Sequence, residues 1–271
     1  GFLVSSGIYL YVAQAPSSPA IRGRIAVIDG VTPRLLRVTL APMCHRRKWW
    51  PGLPGLLLLV LSTTCIQARA QVPTTGFTIA RVQYDGGGDW YSDPSSLPNL
   101  LRFIGANTTI SVATEEARVQ IDDEDLFAYP YLYLTGHGNI HLSDQQVQRL
   151  RRYLDAGGFL HADDNYGLDE SFRREMKRLY PSKDFVELPA DHEIFHCHFS
   201  FPRGLPKIHE HDGSRPQALA LFEGERILVV YTYESDLGDG WEDAHIHNDP
   251  EITRQAALRM GTNIVVWALT H

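Results

Sequence analysis

The apolar run Phe159-Leu160-His161-Ala162 leads directly into Asp163-Asp164-Asn165-Tyr166. Charged groups at the end of an apolar strand are costly unless they are paired, solvated in a cleft or bound to something. Residues two apart on a strand share a side, so His161 and Asp163 are expected to point together and Asp164 away from them. His137, in the tight turn Gly136-His137-Gly138, adds an imidazole one strand away. His137, His161, Asp163 and Asp164 are therefore the candidate catalytic set, with acid–base or metal-assisted hydrolysis as the available chemistry. The competing expectation for the same residues is a buried hydrogen-bonded network that closes the strand ends. Asp85, Gly86 and Gly87, in the glycine run after an earlier strand, join Asn165 and Tyr166 as candidate ligand-binding residues, because glycine lets a backbone approach closely. The run is not a GxGxxG fingerprint and no P-loop lysine follows it, so it does not point to a nucleotide.

His192, His196 and His198 form the densest histidine segment and are the candidate metal ligands. His192 and His196 would share a helical face, and His196 and His198 a strand face, so no single regular element unites all three. His209-Glu210-His211 and His245-Ile246-His247 each allow a same-side pair, but they read as exposed loop histidines. The acidic run from Glu234 to Asp243 lacks the EF-hand pattern and reads as a solvated loop.

The elements that must position these groups alternate. Strands are expected over 77–84, 108–113 (with 119–121 as a further stretch of that region), 130–135 and 159–163, and helices over 95–104, 143–156 and 169–179. Ser143 followed by Gln146 has the capping-box form, and Gly157-Gly158 closes that helix. A hairpin is expected over 218–222 and 226–233, and a terminal helix over 252–268. Strands alternating with helices predict an α/β fold with a mostly parallel sheet, and ligands in such sheets sit at the carboxyl ends of the strands.

Composition narrows the function. The chain has 271 residues; the first 70 hold eight of its 25 basic and one of its 32 acidic residues, which leaves 17 basic against 31 acidic, a net charge of −14, over 71–271. That balance opposes nucleic-acid binding, which needs a basic footprint. From Met43 the sequence reads as a secretory signal peptide: basic residues at 45–48, an apolar run over 53–61, and Ala68-Arg69-Ala70 before Gln71. The run is too short for a membrane span. Residues 1–42 are expected to be an upstream extension outside the native protein, 43–70 the leader, and 71–271 one exported domain, periplasmic or in the cell envelope. Cys197 alone remains after cleavage, so no internal disulfide can form.

The segments 84–91, 133–138, 157–167 and 205–211 together resemble the DUF4159 family over about residues 76–271. The resemblance implies a flavodoxin-like layered domain similar to class I glutamine amidotransferases. Those enzymes carry a cysteine nucleophile on the turn after a strand that follows a Gly-Gly pair. Here that turn is Asp163-Asp164-Asn165, so the thiol mechanism is not carried over. Two function classes follow: a non-catalytic module that binds a ligand or an envelope partner, or a hydrolase using the His/Asp cluster. No cofactor is specified by either.

Overall fold

The computed structural model describes residues 76–271 apart from 212, together with two strands nearer the start, β1 (Gly7–Ala13) and β2 (Ile21–Val27), which pair antiparallel with each other. The expected leader at 43–70 lies outside the described residues.

The domain is built on a seven-stranded sheet. In chain order its strands are β3 (Ala80–Gln83), β4 (Ala117–Gln120), β5 (Tyr131–Leu134), β6 (Phe159–Asp163), β7 (Val186–Glu187), β8 (Gln217–Glu223) and β9 (Arg226–Tyr233). They lie side by side in the order β4-β3-β5-β6-β9-β8-β7. The first five in that order are parallel, and β8 and β7 add an antiparallel edge. The parallel α/β expectation therefore holds for the body of the sheet. The β8–β9 hairpin, turning at left-handed Gly224, makes it mixed.

Six helices complete the domain: α1 (Ser96–Asn107), α2 (Asp144–Asp155), α3 (Asp169–Leu179), α4 (Leu237–Trp241), α5 (Ala244–His247) and α6 (Glu251–Thr270). Strand alternation sorts the core into two layers. Leu132, Leu134, Leu160 and Ala162 face α2 and α3, meeting Leu150, Leu154, Phe172 and Met176. Tyr131, Tyr133 and Phe159 face the opposite way, toward Leu97, Leu101, Trp241 and Ile264 of α1, α4 and α6. The capping box is formed, with Ser143 accepting from Gln146 N and Gln146 accepting from Ser143 N at 2.9 Å. Left-handed Gly157 follows the end of the same helix.

One expected strand is displaced. Residues 108–113 contribute only a bridge from Val112 to Phe77, and the strand beside β3 is Ala117–Gln120. The earlier stretch is the richer in β-formers, while the later one, Ala-Arg-Val-Gln, holds only Val119. The later one brings Glu116 onto buried Arg81, whose Nε lies 3.1 Å from both carboxylate oxygens. Among the described residues no helix is long and apolar enough to cross a membrane.

Candidate functional site

The parallel strands end on one rim, and the groups there are built from the strand ends outward. β6 delivers His161 and Asp163 onto the α1/α4/α6 side, as the two-residue period requires. His161 is fully buried, with Tyr131 Oη 2.9 Å from Nδ1 and Thr232 Oγ1 3.0 Å from Nε2. Burial pushes its pKa down to about 3, so the ring stays neutral and belongs to the core. Asp163 is also fully buried. Its Oδ2 accepts from Gly238 N at 2.6 Å and Tyr133 Oη at 3.3 Å, and Thr232 Oγ1 donates to its Oδ1. Burial outweighs these hydrogen bonds and raises its pKa to about 7. It thereby fastens the start of α4 to β6. Asp164 turns the other way, accepting from Glu234 N at 3.3 Å, and burial lifts it to about 6.

The glycine loop forms a separate neighbourhood. Asp85 pairs through its carbonyl with His141 N at 2.7 Å. Gly86 has a left-handed φ of 117°, and a Cβ there would lie 2.6 Å from His141 N and 2.7 Å from Asn139 O, so only glycine fits against that turn. Gly87 faces open space. His137 is exposed and its Nδ1 sits 3.1 Å from Asp89 Oδ2. Among the described residues, neither His137 nor Asp85 has a hydrogen bond or ion pair with His161, Asp163 or Asp164.

A third group gathers where the loops after β3, β6 and β9 meet the segment 205–211. Asp93 is buried with φ 54°, its backbone fixed by Arg81 Nη2 donating to Asp93 O at 3.1 Å. Its Oδ2 accepts from Asn165 Nδ2 at 2.7 Å, and Thr135 holds the other end of that amide at 2.8 Å. Burial and the neighbouring Asp239 raise Asp93 to about 6. Tyr166, at φ 61° and 56 % exposed, stacks on His211 with ring centroids 5.3 Å apart. Asn165 and Tyr166 thus belong to this rim.

Here the histidines that read as loop residues meet the acidic run. His209 Nδ1 lies 2.7 Å from Asp239 Oδ2, and His209 Nε2 lies 2.9 Å from Asp249 Oδ1. His247 Nδ1 is 3.4 Å from Asp239 Oδ2, and its Nε2 is 3.3 Å from Glu242 Oε2. His211 Nε2 is 3.0 Å from Asp236 Oδ2. These last two Nε2 contacts are close but out of line for an N–H···O bond, and both atoms, like Asp236 Oδ1 and Asp249 Oδ2, are buried with no hydrogen-bond partner among the described residues. Ligand atoms of His209, Asp239 and His247 all lie within 4.8 Å of one another, as do those of Asp93, Glu242 and His247.

His192, His196 and His198 each serve the backbone separately. His192 Nδ1 accepts from Ile194 N, while His196 and His198 reach the carbonyls of Ala190 and Asn107. They do not enter either group of closely spaced ligand atoms. Cys197 sits beside α6, its thiol 3.3 Å from Asn263 O, and burial pushes its pKa up to about 11, so it stays protonated. The acidic–histidine group was hard to see in the sequence because its members come from separate loops. The one local signal was the paired i, i+2 histidines at 209/211 and 245/247.

The family model for DUF4159, a domain of unknown function, matches residues 78–269. No curated protein matches the chain. The match covers most of the sequence, and the chain belongs to the DUF4159 family.

Proposed function

We propose that this DUF4159 member is an exported, non-catalytic ligand-binding module of the cell envelope, on a glutamine-amidotransferase-like fold that lacks the thiol. The strand order β4-β3-β5-β6 follows the doubly wound pattern with a reversal at β3, which supports that fold. β6 ends at Asp163 and Asp164-Asn165 follow, while Cys197 is protonated elsewhere, so among the described residues no cysteine stands at the nucleophile's position. The basic segment, apolar run and Ala68-x-Ala70 support export; mass spectrometry of secreted material should then find a chain starting at Gln71. An intact species retaining 43–70 would count against processing.

One observation carries the binding reading. Four of the five non-glycine residues with left-handed φ among the described residues, Asp93, Tyr166, Glu234 and Asp236, stand on the acidic–histidine rim. Such conformations cost about 1–3 kcal/mol each and persist where surrounding structure enforces them, commonly at ligand sites. A site held for binding is not optimised for stability. Asp236→Asn keeps a residue tolerant of this backbone and removes a carboxyl that burial and its acidic neighbours force to take up a proton on folding. The variant is expected to unfold at a higher temperature at pH 8, with a gain of about 0.5–2 kcal/mol. A loss of stability would identify the rim as a structural network. Hydrolysis assisted by a bound metal is the second reading, favoured by the approach of His209, Asp239 and His247 to one point.

A further inference from the structure

We propose that His209, Asp239 and His247 bind a divalent transition-metal ion, with Asp249 orienting His209 and Asp236 lying at the margin of the ion's site. The inference rests on the binding reading above and names the ligand of that rim. Two imidazoles and one carboxylate are a nitrogen–oxygen set that suits zinc, iron, cobalt or manganese; calcium and magnesium prefer oxygen alone.

Three independent features support the assignment. The first is orientation. A metal-binding histidine commonly presents one ring nitrogen to the ion and gives its other N–H to a carboxylate. His209 has that arrangement, with Nδ1 toward Asp239 and His247, and Nε2 on Asp249 Oδ1 at 2.9 Å. The second is an orphaned buried group. Asp236 is 2 % exposed, and among the described residues no group donates a hydrogen bond to its Oδ1, while its carboxyl stands beside that of Asp239. Asp236 Oδ2 lies 3.8 Å from His209 Nδ1. The third is charge. Among the described residues no lysine or arginine forms an ion pair with Asp93, Asp236, Asp239, Glu242 or Asp249. Lys207 is taken by Glu234 at 3.0 Å and Arg81 by Glu116 at 3.0 Å. Five acidic side chains thus converge on this rim with no basic side chain of lysine or arginine paired to them, a setting that favours a bound cation.

The alternative set, Asp93, Glu242 and His247, is already engaged. Glu242 Oε1 accepts from Ser95 N and Oγ, and Asp93 Oδ2 accepts from Asn165. Asp239 Oδ2 meets only the histidine nitrogens in its ion pairs. That difference places the ion on the His209 side of His247. Tyr166, stacked on His211, adds an exposed aromatic ring to the same rim.

The test uses the full chain, stripped with a chelator and titrated with Co²⁺ and then Zn²⁺. One equivalent per chain is expected, with visible Co²⁺ absorption bands, and neither Mg²⁺ nor Ca²⁺ in excess should displace it. His209→Gln and Asp239→Asn should each weaken binding at least 100-fold. Asp249→Asn should weaken it about 10–100-fold while melting stays cooperative, as expected of an orienting partner. His245→Ala, an exposed histidine on the same short helix, should bind as the parent does. If His209→Gln does not fold, His247→Gln replaces it. Absence of stoichiometric binding, or parental affinity in the His209 and Asp239 variants, would overturn the site. If no ion binds but Asp236→Asn still stabilises the protein, the binding reading survives and only the metal fails. If Asp236→Asn destabilises it, the binding reading itself has failed.

Discussion

Asp163 shows how one residue divides between chemistry and architecture. Its carboxylate is fully buried and satisfied by Gly238 N, Tyr133 Oη and Thr232 Oγ1. Asp163→Ala would strand the Gly238 N–H in the core, which costs about 1–3 kcal/mol before any cavity is counted. Asp163→Asn should cost much less, because its carbonyl can still accept from Gly238 while its amide donates to Thr232 Oγ1. Chemical denaturation of the two variants tests this ordering, and equal losses would show that the contact to α4 is not what matters. The shared side of His161 and Asp163 was legible from the two-residue period of a strand. Their chemistry was not, because burial and partners decide it. The same aspartate could have ended at a cleft, and the histidine ring lies instead between Tyr131 and Thr232.

At the scale of elements, the decisive piece is α4, a single short turn of helix between the left-handed Asp236 and Glu242. Asp163 holds its start, and Trp241 anchors its end through Nε1 to Ala257 O at 2.8 Å. A Cβ on Gly238 would lie 2.8 Å from Tyr133 Oη and 3.0 Å from Asp93 Oδ2. Gly238→Ala is therefore expected to cost about 1–3 kcal/mol through overpacking. It should also weaken cation binding, since Asp239 rides on the same turn. Calorimetric titration beside a denaturation curve checks both, and a variant with parental stability would mean the turn yields more freely than its packing implies. The longer helices were readable because apolar periodicity repeats over many residues, and most of the parallel strands because short apolar runs end at turn residues. The 205–211 and 234–249 segments have no such period. Their residues converge through tertiary packing: Ile208 N bonds Ser235 O at 2.9 Å, and Ser235 Oγ bonds Pro206 O at 2.7 Å. Sequence spacing alone therefore presents them as solvated loops.

For the whole molecule, the excess of acid over base has a location. Part of it is buried on one rim with too few cations to match, and that makes stability depend on pH. Asp163 is raised to about 7, and burial with Asp239, Asp163 and Asp93 nearby raises Asp236 further. Groups whose folded pKa exceeds the unfolded value hold extra protons in the folded state, so their contribution is complete at low pH and is lost as pH rises through the folded pKa. His161, pushed down to about 3, acts in the opposite sense but only below the ordinary histidine range, and the Cys197 thiol matters only near and above its ordinary value of 9.0. Between about pH 7 and 8.5 the buried aspartates therefore dominate. The direct measurement is the unfolding free energy of chelator-treated protein across that interval, for the parent and for Asp236→Asn. A fall of about 1–2 kcal/mol per pH unit is expected in the parent, from one or slightly more extra protons at 1.4 kcal/mol each, and a shallower slope in the variant. A parent curve that is flat or rises over the same interval would contradict a rim of unmatched buried carboxylates waiting for a cation.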